Sequence, residues 1–127
     1  MDRIIIVGLG GCFGSVLRYL VSGWAHTLLG ERFPWGTLAV NVIGCFVLGA
    51  LGSAAIEGQL LGPNARLFLF IGVIGGFTTF SAFGYETIAL LEGGRILPAL
   101  LSIGSNVGFG LAAVWLGASC GRTLVSR

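Results

Sequence analysis

The sequence predicts an all-α membrane protein, one domain (1–127) of four transmembrane helices, and three observations carry that expectation. The 127 residues are 55% hydrophobic and only 9% charged, against about 25% charged in soluble domains, and the mean hydropathy is +0.97. Four apolar runs, at about 4–29, 37–56, 67–91 and 96–125, each reach the ~20 residues that a bilayer-spanning helix needs. The connections are short and rich in turn formers: Gly30 to Pro34, Glu57 to Arg66 with Gly62-Pro63-Asn64 inside, and Glu92-Gly93-Gly94-Arg95.

The first run opens directly behind Met-Asp-Arg and lacks the short apolar core and A-x-A exit of a cleavable signal, so it is expected to stay as a span. Its Gly8-Leu9-Gly10-Gly11-Cys12-Phe13 resembles a dinucleotide turn, but Phe13 occupies the third glycine position and no alternating strands and helices follow. Glycines here suit helix crossing. Gly10/Gly14, Gly72/Gly76, Gly104/Gly108 and Gly117/Gly121 each repeat at i, i+4, which puts small residues on one face. Arg18 stands 14 residues past Ile4, about 21 Å along a helix. It is expected either to snorkel to lipid phosphate or to face an aqueous vestibule and concentrate anions.

In the second run Thr37 and Asn41 lie one turn apart on a shared face, and Asn41 brings two amide donors that lipid cannot satisfy. The third run holds Gly75-Gly76-Phe77-Thr78-Thr79-Phe80-Ser81-Ala82-Phe83 near its centre. Two adjacent glycines before β-branched threonines weaken a helix. The freed backbone groups then need protein, an ion or water to meet them. The same composition also suits ordinary packing through small residues. Phe80 and Phe83 share a face, and ring edges are electropositive. In the fourth run Ser102, Ser105 and Asn106 form a second polar stripe. With Thr79 and Ser81 it either lines a polar track or serves as interhelical hydrogen-bond glue.

The seven Arg and five acids give net +2 and lie almost wholly between the spans, a signal of topology with no nucleic-acid surface. Outside the spans Arg3, Arg66, Arg122 and Arg127 fall on one side, and Arg32 and Arg95, joined by Arg18, on the other. Four against three sets almost no orientation. Cys12, Cys45 and Cys120 show no metal or redox spacing and read as small packing residues. His26 reads as an interfacial histidine without metal partners. No nucleophile with a base, paired carboxylates or metal cluster supports an enzyme.

These residues together resemble the Fluc/CrcB family of small fluoride channels. The resemblance runs the full length, through Leu17-Arg18-Tyr19, Trp35-Gly36-Thr37-Leu38-Ala39-Val40-Asn41 and the GGFTTFSAF centre. It implies an antiparallel, dual-topology homodimer in the bacterial cytoplasmic (inner) membrane, with the third helix broken at midplane and two pathways for passive fluoride exit. It implies as cofactor a structural, non-transported sodium ion on the backbone carbonyls of Gly75 and Thr78. The implied fluoride pathway comprises Asn41, Phe80, Phe83, Thr79, Ser81, Thr37, Ser102, Asn106, Arg18 and Glu86. Ala82 stands where relatives often carry a hydroxyl. Amides, hydroxyls and ring edges suit a strongly hydrated anion that a fixed cation would trap.

The competing expectation is a small dual-topology, proton-coupled exporter of organic cations. Such an exchanger needs a carboxylate deep in the membrane. The first helix has none, and Glu86 lies only about 8 Å from the end of its helix.

Overall fold

The computed structural model describes residues 2–58 and 61–125; Arg127, counted in the charge balance, lies outside them. The described residues are helical almost throughout. Four helices are long and apolar enough to cross a membrane: Asp2–Leu29, Trp35–Ala55, Pro63–Glu92 and Ile96–Thr123.

Helix α1 (Asp2–Leu29) begins with an acid in its first turn, where the helix dipole favours negative charge. It stops at Gly30, whose φ of +81° needs a residue without a Cβ; the Gly30 N–H closes on the His26 carbonyl at 2.9 Å. Pro34 precedes α2 (Trp35–Gly58) and accepts from the Leu38 N–H at 3.1 Å. Arg66 folds back over the next connection, donating to the Ala55 carbonyl at 2.7 Å and to the Leu61 carbonyl at 3.2 Å.

The third span is assembled from pieces. Pro63 opens α3 (Pro63–Arg66), a π-helix runs over Leu67–Ile74, and one turn of α4 (Gly75–Phe77) follows. Thr78 and Thr79 are extended, at φ/ψ of −80°/159° and −153°/113°, before α5 (Phe80–Glu92) resumes. The break therefore falls on the threonines, whereas Gly75 and Gly76 stay helical. Their lack of side chains serves the crossing instead: a Cβ on Gly76 would stand 2.7 Å from the Gly11 carbonyl oxygen of α1. The π-helix widens the turn just before the break, and eight residues of it is unusual, since such segments are mostly single turns at functional sites.

Helix α6 (Ile96–Val125) packs along α2, and α1 packs along the π-helix and α4. Small residues permit both approaches. A Cβ on Gly10 would lie 2.5 Å from the Phe68 carbonyl oxygen, and one on Gly117 2.1 Å from that of Phe46. Gly104 and Gly108 differ: nothing among the described residues lies within 4 Å of where their Cβ atoms would be. The buried apolar core is small, built around Val40, Ile74, Phe77 and Ala99, and much of the large apolar surface faces outward.

Candidate functional site

The break is held open by a side chain from α2. Asn41 Oδ1 accepts the Thr79 N–H at 2.9 Å, and its Nδ2 donates to the Thr79 carbonyl at 3.1 Å. The carboxamide thus replaces, at one peptide, the bonds that an unbroken helix would supply. Its second Nδ2 proton goes to Asn106 Oδ1 on α6 at 3.0 Å, and Asn106 in turn donates to the Ser102 carbonyl at 3.0 Å. Both donors of Asn41, which lipid could not satisfy, are spent on protein. Its first task is to fix the break.

Thr79 also caps the second half-helix. Its Oγ1 accepts the Ala82 N–H at 3.2 Å and lies 3.3 Å from Ser81 Oγ. An unbroken helix would aim the Thr79 and Ala82 amides at the carbonyls of Gly75 and Thr78. Diverted to Asn41 and to the Thr79 hydroxyl, they leave those carbonyls without their helical donors. Thr78 O instead receives Arg18 Nη1 at 3.3 Å. The half-buried Arg18 thus reaches the break itself, whereas snorkelling to the lipid interface would put it outside. A guanidinium suits the negative end of the first half-helix, while the N-terminus of α5 presents its positive end.

A cleft of about 290 Å³ opens at this point, lined by Asn41, Thr78, Thr79, Phe80, Phe83 and Asn106 among others. The Phe80 and Phe83 rings stand 5.5 Å apart between centroids, tilted by 56°. Phe80 is 82% exposed in the single chain. Gly44 makes room for the break, because a Cβ there would meet Thr78 Cγ2 at 2.2 Å. Cys45, read as packing, also lines the cleft.

From Asn106 a polar line continues into the bundle. Ser102 is fully buried, and its hydroxyl lies 3.5 Å from that of buried Thr87 on α5. Sequence reasoning misses Thr87, although it falls one turn beyond Phe83 on the same face, and that spacing is the signal that could have found it. Thr37 is buried on α2 and is not among the residues lining the cleft. Glu86 lines a separate cleft near the end of α5, with His26, Arg32 and Arg95.

The family described as CrcB-like protein, Camphor Resistance (CrcB), matches residues 5–118. The chain belongs to the CrcB family. Among curated CrcB relatives, a fluoride-specific ion channel FluC of Thermus thermophilus is 47% identical over 125 residues, covering 98% of each chain. FluC of Rhizobium etli is 46% identical over 125 residues and that of Geobacter sulfurreducens 45% over 124, each covering 98% of this chain and all of the relative. These relatives are named for a channel, a function that is not enzymatic. With four helices of spanning length, the CrcB chain is an integral membrane protein, and the family match takes in the Arg18, Asn41 and Thr78–Thr79 constellation whole.

Proposed function

We propose that the protein is a fluoride-selective channel of the bacterial cytoplasmic (inner) membrane, through which fluoride leaves the cell passively. The observation that carries this reading is the broken third span, pinned by Asn41 beside two phenyl rings, in a chain whose full-length relatives are named fluoride-specific channels. The cleft offers what a conducting anion site requires: hydroxyls, ring edges and a helix N-terminus that stabilise a dehydrated anion without trapping it. From the cleft, Thr79, Ser81, Asn106, Ser102 and Thr87 provide polar groups along a path toward Glu86.

The working unit in this reading is an antiparallel homodimer with two pathways. A single chain leaves Phe80, Ser81 and Gly75 exposed beside the break and leaves open space, among the described residues, where a Cβ on Gly104 or Gly108 would stand, as surfaces awaiting a second copy do. The near-even arginine balance lets copies insert both ways. A structural sodium ion between the copies fits the carbonyls of Gly75 and Thr78, both relieved of helical donors. Hard cations take oxygen ligands of this kind, and backbone carbonyls at half-helix C-terminal ends suit sodium. Arg18 donates to the same Thr78 oxygen, which has a second lone pair that would be open to the ion. The exporter reading loses ground because Glu86 sits in a cleft with two arginines, a poor site for an organic cation.

The deciding experiment is anion efflux from liposomes that hold the purified protein, comparing fluoride with chloride. Fast, electrogenic, fluoride-only efflux is expected. Equal chloride efflux, or proton-driven cation exchange, contradicts the proposal.

A further inference from the structure

Two apolar clefts adjoin at the end of the bundle where α1 stops and α2 and α6 begin. One, of about 430 Å³, runs between α2 and α6 and is lined by Phe33, Trp35, Leu38, Leu101 and Phe109 among others. The other, of about 240 Å³, is lined by Leu29, Ala39 and Val42 together with the same Trp35, Leu38 and Phe109. Val42 stands seven residues past Trp35, so the clefts run inward about 10 Å along α2. Exposed apolar surface is ordinary for a chain in lipid; the rim of these clefts is not. Phe33 also lines a third cleft, of about 320 Å³, which holds Glu31, Arg32, Glu86 and Arg95. The Phe33 and Trp35 rings lie 4.7 Å apart between centroids, at the level where aromatic side chains gather in membrane proteins. Arg95 is held beside Arg32, its N–H bonded to the Leu90 carbonyl at 2.8 Å and its guanidinium to the Arg32 carbonyl. Both arginines and Glu31 are exposed, whereas Glu86 Oε2 is buried.

We propose that the adjoining clefts and their rim seat one two-chain phospholipid with an ethanolamine headgroup. One acyl chain lies in each cleft, the phosphate meets the guanidinium groups of Arg32 and Arg95, and the ammonium meets the Glu31 carboxylate. Two apolar clefts that share walls and open beside one charged rim match two chains that leave one glycerol. Basic pockets between membrane helices hold lipid headgroups, and arginine's planar fork fits phosphate oxygens in pairs. Two arginines and two glutamates stand in the rim cleft, so a headgroup of no net charge suits it better than an anionic one. A primary ammonium brings N–H donors to Glu31; a trimethylated one brings none. Gly104 lies on the α6 wall of the larger cleft, so the lipid borders the face left to a second copy in the reading above.

The test is native mass spectrometry of the delipidated protein, offered phosphatidylethanolamine, phosphatidylcholine and phosphatidylglycerol with identical acyl chains. Phosphatidylethanolamine is expected to be retained about tenfold better than either of the others, the difference that a charge-assisted contact makes. Glu31→Gln, in an exposed connection, should erase the preference over phosphatidylcholine. Arg32→Ala with Arg95→Ala should weaken retention of all three lipids by about tenfold or more. Ala39→Phe, which fills the smaller cleft, should weaken the two-chain lipid and spare its one-chain lyso form. Equal retention of the three lipids by the native chain, or a preference unchanged in Glu31→Gln, overturns the proposal. Retention by single chains that is lost in the dimer gives the clefts to the second copy and overturns it as well. Bound lipid is read without fluoride flux, so either result leaves the channel reading where it stands.

Discussion

Asn41 grips the peptide of Thr79 from both sides, accepting its N–H at 2.9 Å and donating to its carbonyl at 3.1 Å. One side chain on α2 thereby determines where the third span stops being a helix. Removing it leaves the Thr79 N–H and the Asn106 Oδ1, both part-buried, without their partner, and an unsatisfied group costs up to about 1–3 kcal/mol when fully buried. Asn41→Ala is expected to lower the midpoint of thermal unfolding in detergent markedly. Asn106→Ala, which strips only one bond from Asn41, is expected to lower it less. Equal midpoints for native and Asn41→Ala protein would show that the clamp does not hold the break.

A second prediction concerns the space behind the break. A Cβ on Gly44 would lie 2.2 Å from Thr78 Cγ2, so Gly44→Ala must push the extended segment aside, an overpacking cost of about 1–3 kcal/mol. Combined with Thr78→Ala, which removes the clashing methyl, the loss should be largely recovered. Thr78→Ala alone gives up the hydroxyl bond to Ile74 O at 3.0 Å and the methyl beside Gly44 but keeps the backbone carbonyl, so flux should change little. A double-mutant cycle on melting temperature and fluoride flux checks the rescue.

A third prediction separates polar track from hydrogen-bond glue. Hydrogen bonds between membrane helices average only about 0.6 kcal/mol, so Thr87→Val and Ser102→Ala should unfold within a few degrees of the native chain. If the hydroxyls line the path, fluoride flux nevertheless drops by about tenfold or more, equivalent to about 1.4 kcal/mol in the barrier. Stability losses without a loss of flux would assign both residues to packing.

The four spans were legible because apolar runs of bilayer length leave few other folds open, and the location of the break was legible to within three residues. What the sequence could not show was the division of labour inside GGFTTFSAF. Glycine content points to Gly75 and Gly76 as the weak point, but their missing side chains admit α1, and the break waits for the residue that Asn41 can reach. Arg18 eludes sequence reading for a similar reason: counting rise from Ile4 gives depth along α1 but not the neighbour it meets, Thr78 O. The π-helix over Leu67–Ile74, the segment that packs against α1, has no mark in an apolar run.

The fourth prediction addresses orientation. With Cys12, Cys45 and Cys120 replaced, a single cysteine introduced at Asn64 should be labelled by a membrane-impermeant maleimide from either side of the membrane, about half of the chains from each, as an undecided arginine balance requires. Labelling from one side alone would rule out dual topology.

The sharpest measurement is fluoride efflux through liposomes reconstituted with Phe80→Ile or Asn41→Asp, each verified as folded. Phe80→Ile removes the ring edge, and Asn41→Asp keeps an acceptor for Thr79 while setting a negative charge beside the cleft. Both should cut fluoride efflux by about a hundredfold or more, about 2.7 kcal/mol in the barrier. Near-native efflux through both variants would place the anion's route elsewhere than the broken helix.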